Sequence, residues 1–194
     1  VNPPVTATTT VTVSDTTPPS LTTVPGNVVA EATSPAGAVV TYAAATATDA
    51  IGPVTISYSH ASGSVFPLGT TTVGVTAPDG AGNAGGAVFT VTVRDTTPPV
   101  LTLPADITLT TSDSNGLAVT YTATAVDLVD ISAPAGCFPF SGSIFAIGST
   151  TVTCTPTDDF DNTAIGSFQV TVTLLQPQQV SVALSGNGSG TVTS

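Results

Sequence analysis

The chain has 194 residues, 41% hydrophobic and only 7% charged, with a single basic residue, Arg94, against twelve acids and a formal charge of −11. The lack of lysine excludes a basic surface for nucleic acid or anionic lipid. The apolar content excludes the low-hydrophobicity, high-charge signature of disorder, and no apolar run approaches the ~18–20 residues of a membrane-spanning helix.

In chain order, residues 1–14 end on Thr10-Val11-Thr12-Val13-Ser14, which with the following Asp15 matches Thr90-Val91-Thr92-Val93-Arg94-Asp95 at all but one position. This segment is therefore expected to be the closing strand of a preceding or neighbouring domain. Thr10, Val11, Thr12 and Val13 are the candidates for donation to another sheet by β-strand addition. No signal peptide is visible, so the numbering is expected to start after processing or inside a longer chain.

Asp15-Thr16-Thr17-Pro18-Pro19 recurs as Asp95-Thr96-Thr97-Pro98-Pro99. A fixed internal period of about eighty residues is the signature of a tandem array. Residues 15–94 form a first repeat, with strands expected at 27–32, 38–47, 54–59, 70–77 and 87–94. Phe89-Thr90-Val91-Thr92-Val93 alternates as one buried and one wet face do. Turn clusters such as Ser34-Pro35-Ala36-Gly37 and Pro78-Asp79-Gly80 separate the strands. Six or seven short strands at this spacing point to a β-sandwich.

Residues 95–175 repeat the plan, with strands expected near 106–111, 117–125, 149–156 and 167–174. Cys137 and Cys154 lie here, and the first repeat has Tyr58 and Val75 in their places. One pair replaced by another pair is what a structural disulfide predicts, with two buried free thiols as the alternative. Such a bridge persists in oxidising compartments. Residues 176–194 leave the pattern; Val180–Leu184 alternates and runs into Asn187-Gly188-Ser189-Gly190, the signal of a hairpin opening a further β domain.

The ordered motifs Asp-Thr-Thr-Pro-Pro, Ala38-Val39-Val40-Thr41-Tyr42, Ser62-Gly63-Ser64-Val65-Phe66, Asp79-Gly80-Ala81-Gly82-Asn83 and Phe89-Thr90-Val91-Thr92-Val93 together resemble a hyalin repeat. The resemblance covers residues 15–174. It implies two tandem immunoglobulin-like modules, an all-β chain, and an extracellular or cell-surface setting linked with adhesion. It also implies a cysteine pair where Cys137 and Cys154 stand. The second repeat departs from the motif at Asp158-Asp159-Phe160-Asp161-Asn162, which lacks the glycines.

No cofactor is required by anything in the sequence. Calcium alone has a physical case, since Asp127, Asp130, Asp158, Asp159 and Asp161 concentrate the oxygen donors that hard cations prefer; solvated Asp-rich turns are the alternative. His60, the only histidine, has no acid paired with it in sequence, and nothing resembles a nucleophile elbow. Asn187-Gly188-Ser189 has the spacing of an N-glycosylation acceptor.

The expected function is a non-enzymatic stalk module or fibre subunit whose partners are neighbouring copies or adjacent domains. An adhesive or carbohydrate-binding accessory module of a large secreted protein is the alternative. With no Trp, and with most of the seven phenylalanines expected in the core, the carbohydrate reading lacks exposed aromatics.

Overall fold

The computed structural model describes residues 3–130 and 134–176. The expected C-terminal hairpin and Asn187 lie outside these residues. The chain is all-β, two tandem immunoglobulin-like β-sandwiches built on one plan.

The first repeat contains β1 (Ser20–Thr23), β2 (Val28–Glu31), β3 (Ala38–Val40), β4 (Thr46–Thr48), β5 (Ser57–Tyr58), β6 (Ser64–Phe66), β7 (Gly69–Pro78) and β8 (Ala84–Arg94). Its main sheet has the order β2-β8-β7-β5. β7 and β8 form the long antiparallel pair, and β2 joins β8 in parallel, with Val28 opposite Val91. Two-stranded ladders β3-β6 and β1-β4 make up the rest.

The second repeat contains β9 (Val100–Thr102), β10 (Ile107–Thr111), β11 (Leu117–Ala118), β12 (Thr124–Val126), β13 (Cys137–Phe138), β14 (Ile144–Phe145), β15 (Gly148–Cys154) and β16 (Gly166–Leu174). The sheet β10-β16-β15-β13 copies the first, and Ile107 stands opposite Val170 as Val28 does opposite Val91.

Val–Thr alternation explains the core. In β8, Phe89, Val91 and Val93 are buried, while Thr90 and Thr92 face outward to a greater degree. Phe66, Val73 and Val75 meet them from the neighbouring strands, and Phe145, Val152, Cys154, Phe168, Val170 and Val172 form the equivalent cluster in the second repeat. β-branched side chains suit such a pleated, half-buried surface.

The strand expected over 38–47 is broken into β3 and β4, which pair with different partners. Ser62 provides the physical reason. Its Oγ accepts the Tyr42 N–H at 2.9 Å and donates to the Tyr42 carbonyl at 3.1 Å. With both main-chain groups satisfied by one side chain, Tyr42 needs no ladder partner. Ser141 does the same for Tyr121, at 2.8 and 2.7 Å, and splits the strand expected over 117–125. Each tyrosine stacks edge-on against a core phenylalanine, Tyr42 on Phe89 at 4.8 Å and Tyr121 on Phe168 at 4.9 Å. The short strands β1, β6, β9, β13 and β14 are further elements that the alternation pattern does not single out.

Residues 10–14 form no strand; Val11 and Val13 are 80% and 89% exposed. By spatial contact the chain divides into two compact units. Unit 1 is Val1–Val100 with Ala125–Pro134 and Thr157–Ala164; unit 2 is Leu101–Thr124 with Ala135–Pro156 and Ile165–Ser194. Unit 1 thus takes in two loops of the second repeat, and Val129, only 6% exposed, packs in its apolar cluster.

Candidate functional site

Three segments meet in unit 1 around a group of carboxylates. Asp95 opens the second Asp-Thr-Thr-Pro-Pro, Asp127 follows β12, and Asp158 lies in the turn after β15. One carboxylate oxygen from each lies within 4.8 Å of the others, and all three residues are buried, at 6%, 7% and 6% exposure.

Short polar turns hold each side chain in place. Asp95 Oδ1 accepts the Thr97 amide at 3.1 Å. Asp127 Oδ1 accepts the amides of Val129 and Asp130 at 2.7 and 3.0 Å. Asp158 Oδ1 accepts those of Phe160 and Asn162 at 2.9 and 2.8 Å, and its Oδ2 takes the Asn162 side-chain amide at 2.8 Å. Asp95 Oδ2, by contrast, is buried with no hydrogen-bond partner.

These environments act on the acids in opposite directions. Burial pushes the Asp95 carboxyl up; the Thr97 amide opposes this, and the charges of Asp127, Asp158 and Glu31 add to the rise. Burial also pushes Asp158 upward, but the side chain and amide of Asn162 and the amide of Phe160 outweigh it, and the net shift is downward. Hydrogen bonding to the ionised form and desolvation are the two competing causes.

The first repeat carries the same constellation as Asp15, Asp49 and Asp79, each half-buried. The anchoring bonds recur: Thr17 to Asp15, Ile51 to Asp49, and Ala81 and Asn83 to Asp79. Asp15 Oδ2 again has no partner.

Of the acids singled out from sequence, Asp127 and Asp158 come together. Asp130 instead accepts the Asp159 amide through Oδ2 at 3.1 Å. Asp159 and Asp161 are exposed and stand outside the group. Asp95 was missed because Asp-Thr-Thr-Pro-Pro reads as linker punctuation. The available signal was that an aspartate recurs at or within a residue of the equivalent place in both repeats, as Asp15 and Asp95, Asp49 and Asp127, and Asp79 and Asp158.

Cys137 and Cys154 form a disulfide between the adjacent strands β13 and β15, which excludes the free-thiol alternative. His60 is exposed, touching Ser59 Oγ through Nδ1 at 3.2 Å and stacking near Phe66. The expectation that phenylalanines sit mostly in the core needs correcting in part. Phe66, Phe89, Phe145 and Phe168 are buried, but Phe138 and Phe140 are each 67% exposed and Phe160 is 42% exposed. Strand alternation turns Phe138 outward where its neighbour Cys137 turns inward. Phe138 and Phe140 meet edge to face at 5.6 Å, beside a hollow of about 280 Å³ lined by Tyr121, Ala123, Ala135, Cys137 and Phe140.

Residues 14–93 and 94–172 each match the HYR domain. The chain is 35% identical to hyalin of Lytechinus variegatus over 167 residues, covering 81% of this chain and 31% of that protein. It is 36% identical to hyalin of Strongylocentrotus purpuratus over 172 residues, 84% of this chain and 14% of that protein. The chain thus spans less than a third of the length of these relatives. Among solved structures, Drosophila N-cadherin EC1-4 aligns over 82% of this chain and 50% of its own, at 13% identity and a TM-score of 0.39. The fibronectin(III)-like modules of Clostridium thermocellum CbhA align over 84% and 100%, at 14% identity and a TM-score of 0.32.

Proposed function

Because the chain belongs to the HYR domain family and carries two consecutive members of it, we propose that it is a non-enzymatic extracellular module, a length of stalk or fibre in a surface or matrix assembly. The observation that carries this reading is the duplication itself. Both repeats use the same strand register, the same serine–tyrosine clamp and the same connecting motif. A disulfide suits an oxidising exterior. Tandem modules of this kind set spacing, and their partners are neighbouring modules or other copies of the chain.

The N-terminal segment supports a finer version. Residues 10–13 repeat the sequence of the β8 core strand, yet they belong to no sheet here and expose Val11 and Val13. In β8 the equivalent Val91 and Val93 are 0% and 1% exposed. Thr10, Val11, Thr12 and Val13 therefore serve as a strand for a sheet outside the two units, in a preceding module or in another copy. Main-chain hydrogen bonding would supply affinity and the two valines specificity. Deleting residues 1–14 tests this by sedimentation and electron microscopy. Loss of self-association supports donation between copies. Unchanged assembly would count against strand donation between copies.

A second reading has one observation in its favour. The exposed Phe138–Phe140 pair beside its hollow supplies the aromatic surface that an adhesive or carbohydrate-binding module needs. Glycan-array binding lost in Phe138→Ala/Phe140→Ala would establish it, and an array with no hits would remove it.

A further inference from the structure

We propose that Asp95, Asp127 and Asp158 form a binding site for a hard divalent cation of the calcium class, where the Asp-Thr-Thr-Pro-Pro segment meets the loops after β12 and β15. The site lies wholly within unit 1 and does not depend on the stalk reading.

The first support is geometric. Three carboxylate oxygens from distant parts of the sequence lie within 4.8 Å of one another, close enough to share one ion. Their positions are imposed by main-chain amides, from Thr97 to Asp95, from Val129 and Asp130 to Asp127, and from Phe160 and Asn162 to Asp158. The like charges are thus held together by the backbone rather than free to swing apart.

The second support is independent of the clustering. Asp95 is 6% exposed, and its Oδ2 is buried without any hydrogen-bond partner. A buried carboxylate oxygen is ordinarily paired, hydrogen-bonded or metal-bound. The sequence contains no lysine, and Arg94, its only basic side chain, is exposed. No cationic side chain stands ready to take the place of an ion.

The donor chemistry narrows the ion. All three groups are carboxylates, and hard cations take six to eight oxygens, which main-chain carbonyls and water complete. The soft and borderline ligands are elsewhere: both cysteines are in the disulfide, and His60 stacks near Phe66. Asp15, Asp49 and Asp79 repeat the arrangement with greater exposure, so a second, weaker binding step is expected there.

The test uses the whole chain, stripped with chelator and titrated with calcium chloride by calorimetry, with thermal unfolding followed in parallel. The expected result is saturable binding at or below the ~10⁻⁴–10⁻³ M range of extracellular calcium modules, with a melting temperature that rises with calcium. Asp95→Asn should weaken the tighter step at least tenfold and abolish most of that rise, while Asp15→Asn should affect only the weaker step. Asp127→Asn gives the same reading should Asp95→Asn fail to fold. No saturable heat up to ~10 mM calcium, with one melting temperature in calcium and chelator, would overturn the proposal. So would an Asp95→Asn chain that melts higher to the same degree in both, since the acids would then be sharing a proton.

Discussion

Tyr58 stands directly opposite Val75 across β5 and β7, in the register that Cys137 and Cys154 occupy across β13 and β15. The two repeats thus close the same place in the core by different means. In the first, the Tyr58 ring packs against the apolar cluster and its hydroxyl accepts the Ala45 amide at 2.6 Å. In the second, a covalent bridge spans 17 residues of sequence.

Closing a loop of that length contributes on the order of 3 kcal/mol, chiefly by restricting the unfolded chain. Reduction should therefore lower the stability of the second repeat by about that amount and leave the first unaffected. Urea unfolding with and without reductant, followed by hydrogen exchange to assign each transition, checks this. Because Cys154 is fully buried, reduction of the folded chain should be slow without denaturant.

Gly37 has no room for a side chain. A Cβ there would lie 1.9 Å from the Phe66 carbonyl oxygen, and its φ of 107° is one that L-residues rarely adopt. Gly116 faces Phe145 in the same way, at 2.2 Å and 112°. Gly37→Ala should cost at least about 2 kcal/mol, since backbone atoms cannot move aside cheaply and the conformation is itself strained. Chemical denaturation measures the loss, and Gly116→Ala should reproduce it in the second repeat.

Asp161 takes φ 67°, the only non-glycine residue with positive φ among the described residues, and it occupies the place of Gly82, at 95°. The turn keeps its shape although its glycine is gone, because Asp tolerates the left-handed region better than most residues. Asp161→Gly should raise stability by roughly 0.5–1 kcal/mol, relief of strain exceeding the entropy that glycine adds to the unfolded chain. A higher melting temperature is the expected readout; a lower one would show that the Asp161 side chain stabilises the turn.

The Glu31 carboxylate accepts the Thr96 amide at 2.6 Å, the Thr96 hydroxyl at 2.8 Å and the Thr97 hydroxyl at 3.0 Å. The Thr96 bonds, amide first, hold it below its ordinary value of 4.5. The Asn115 amide and side chain likewise hold Asp113 below 3.8. A depressed folded value means that the unfolded chain binds more protons. The stabilisation is therefore present above the unfolded value and lost as pH falls through the folded one. Glu31→Gln should flatten the acid limb of the stability curve between about pH 5 and 2, read as urea midpoints. An unchanged limb would show that the three bonds add nothing beyond what water supplies at an exposed site.

Much of this chain was legible in one dimension. The period of about eighty residues, the Val–Thr alternation of β8 and β16, and the pairwise exchange of Tyr58 and Val75 for the two cysteines all act over short or fixed distances. Local patterning carries that kind of information well. The breaks within the segments 38–47 and 117–125 were not legible. They depend on Ser62 and Ser141 reaching back twenty residues to take over the main-chain groups of a tyrosine.

Sequence by itself determined the tandem all-β architecture, the inward and outward faces of its core strands and the place of the bridge, because each follows from side-chain periodicity along one strand or from one repeat laid on the other. Only the tertiary structure decided which acids meet. Asp95, Asp127 and Asp158 come from three separate segments, and neither charge density nor spacing says which of them lose their water. Asp159 and Asp161, next in sequence to Asp158, stay exposed while Asp95 is buried among its fellows. Burial is a property of the packed loops, and it separates a solvated turn from a carboxylate oxygen left without a partner.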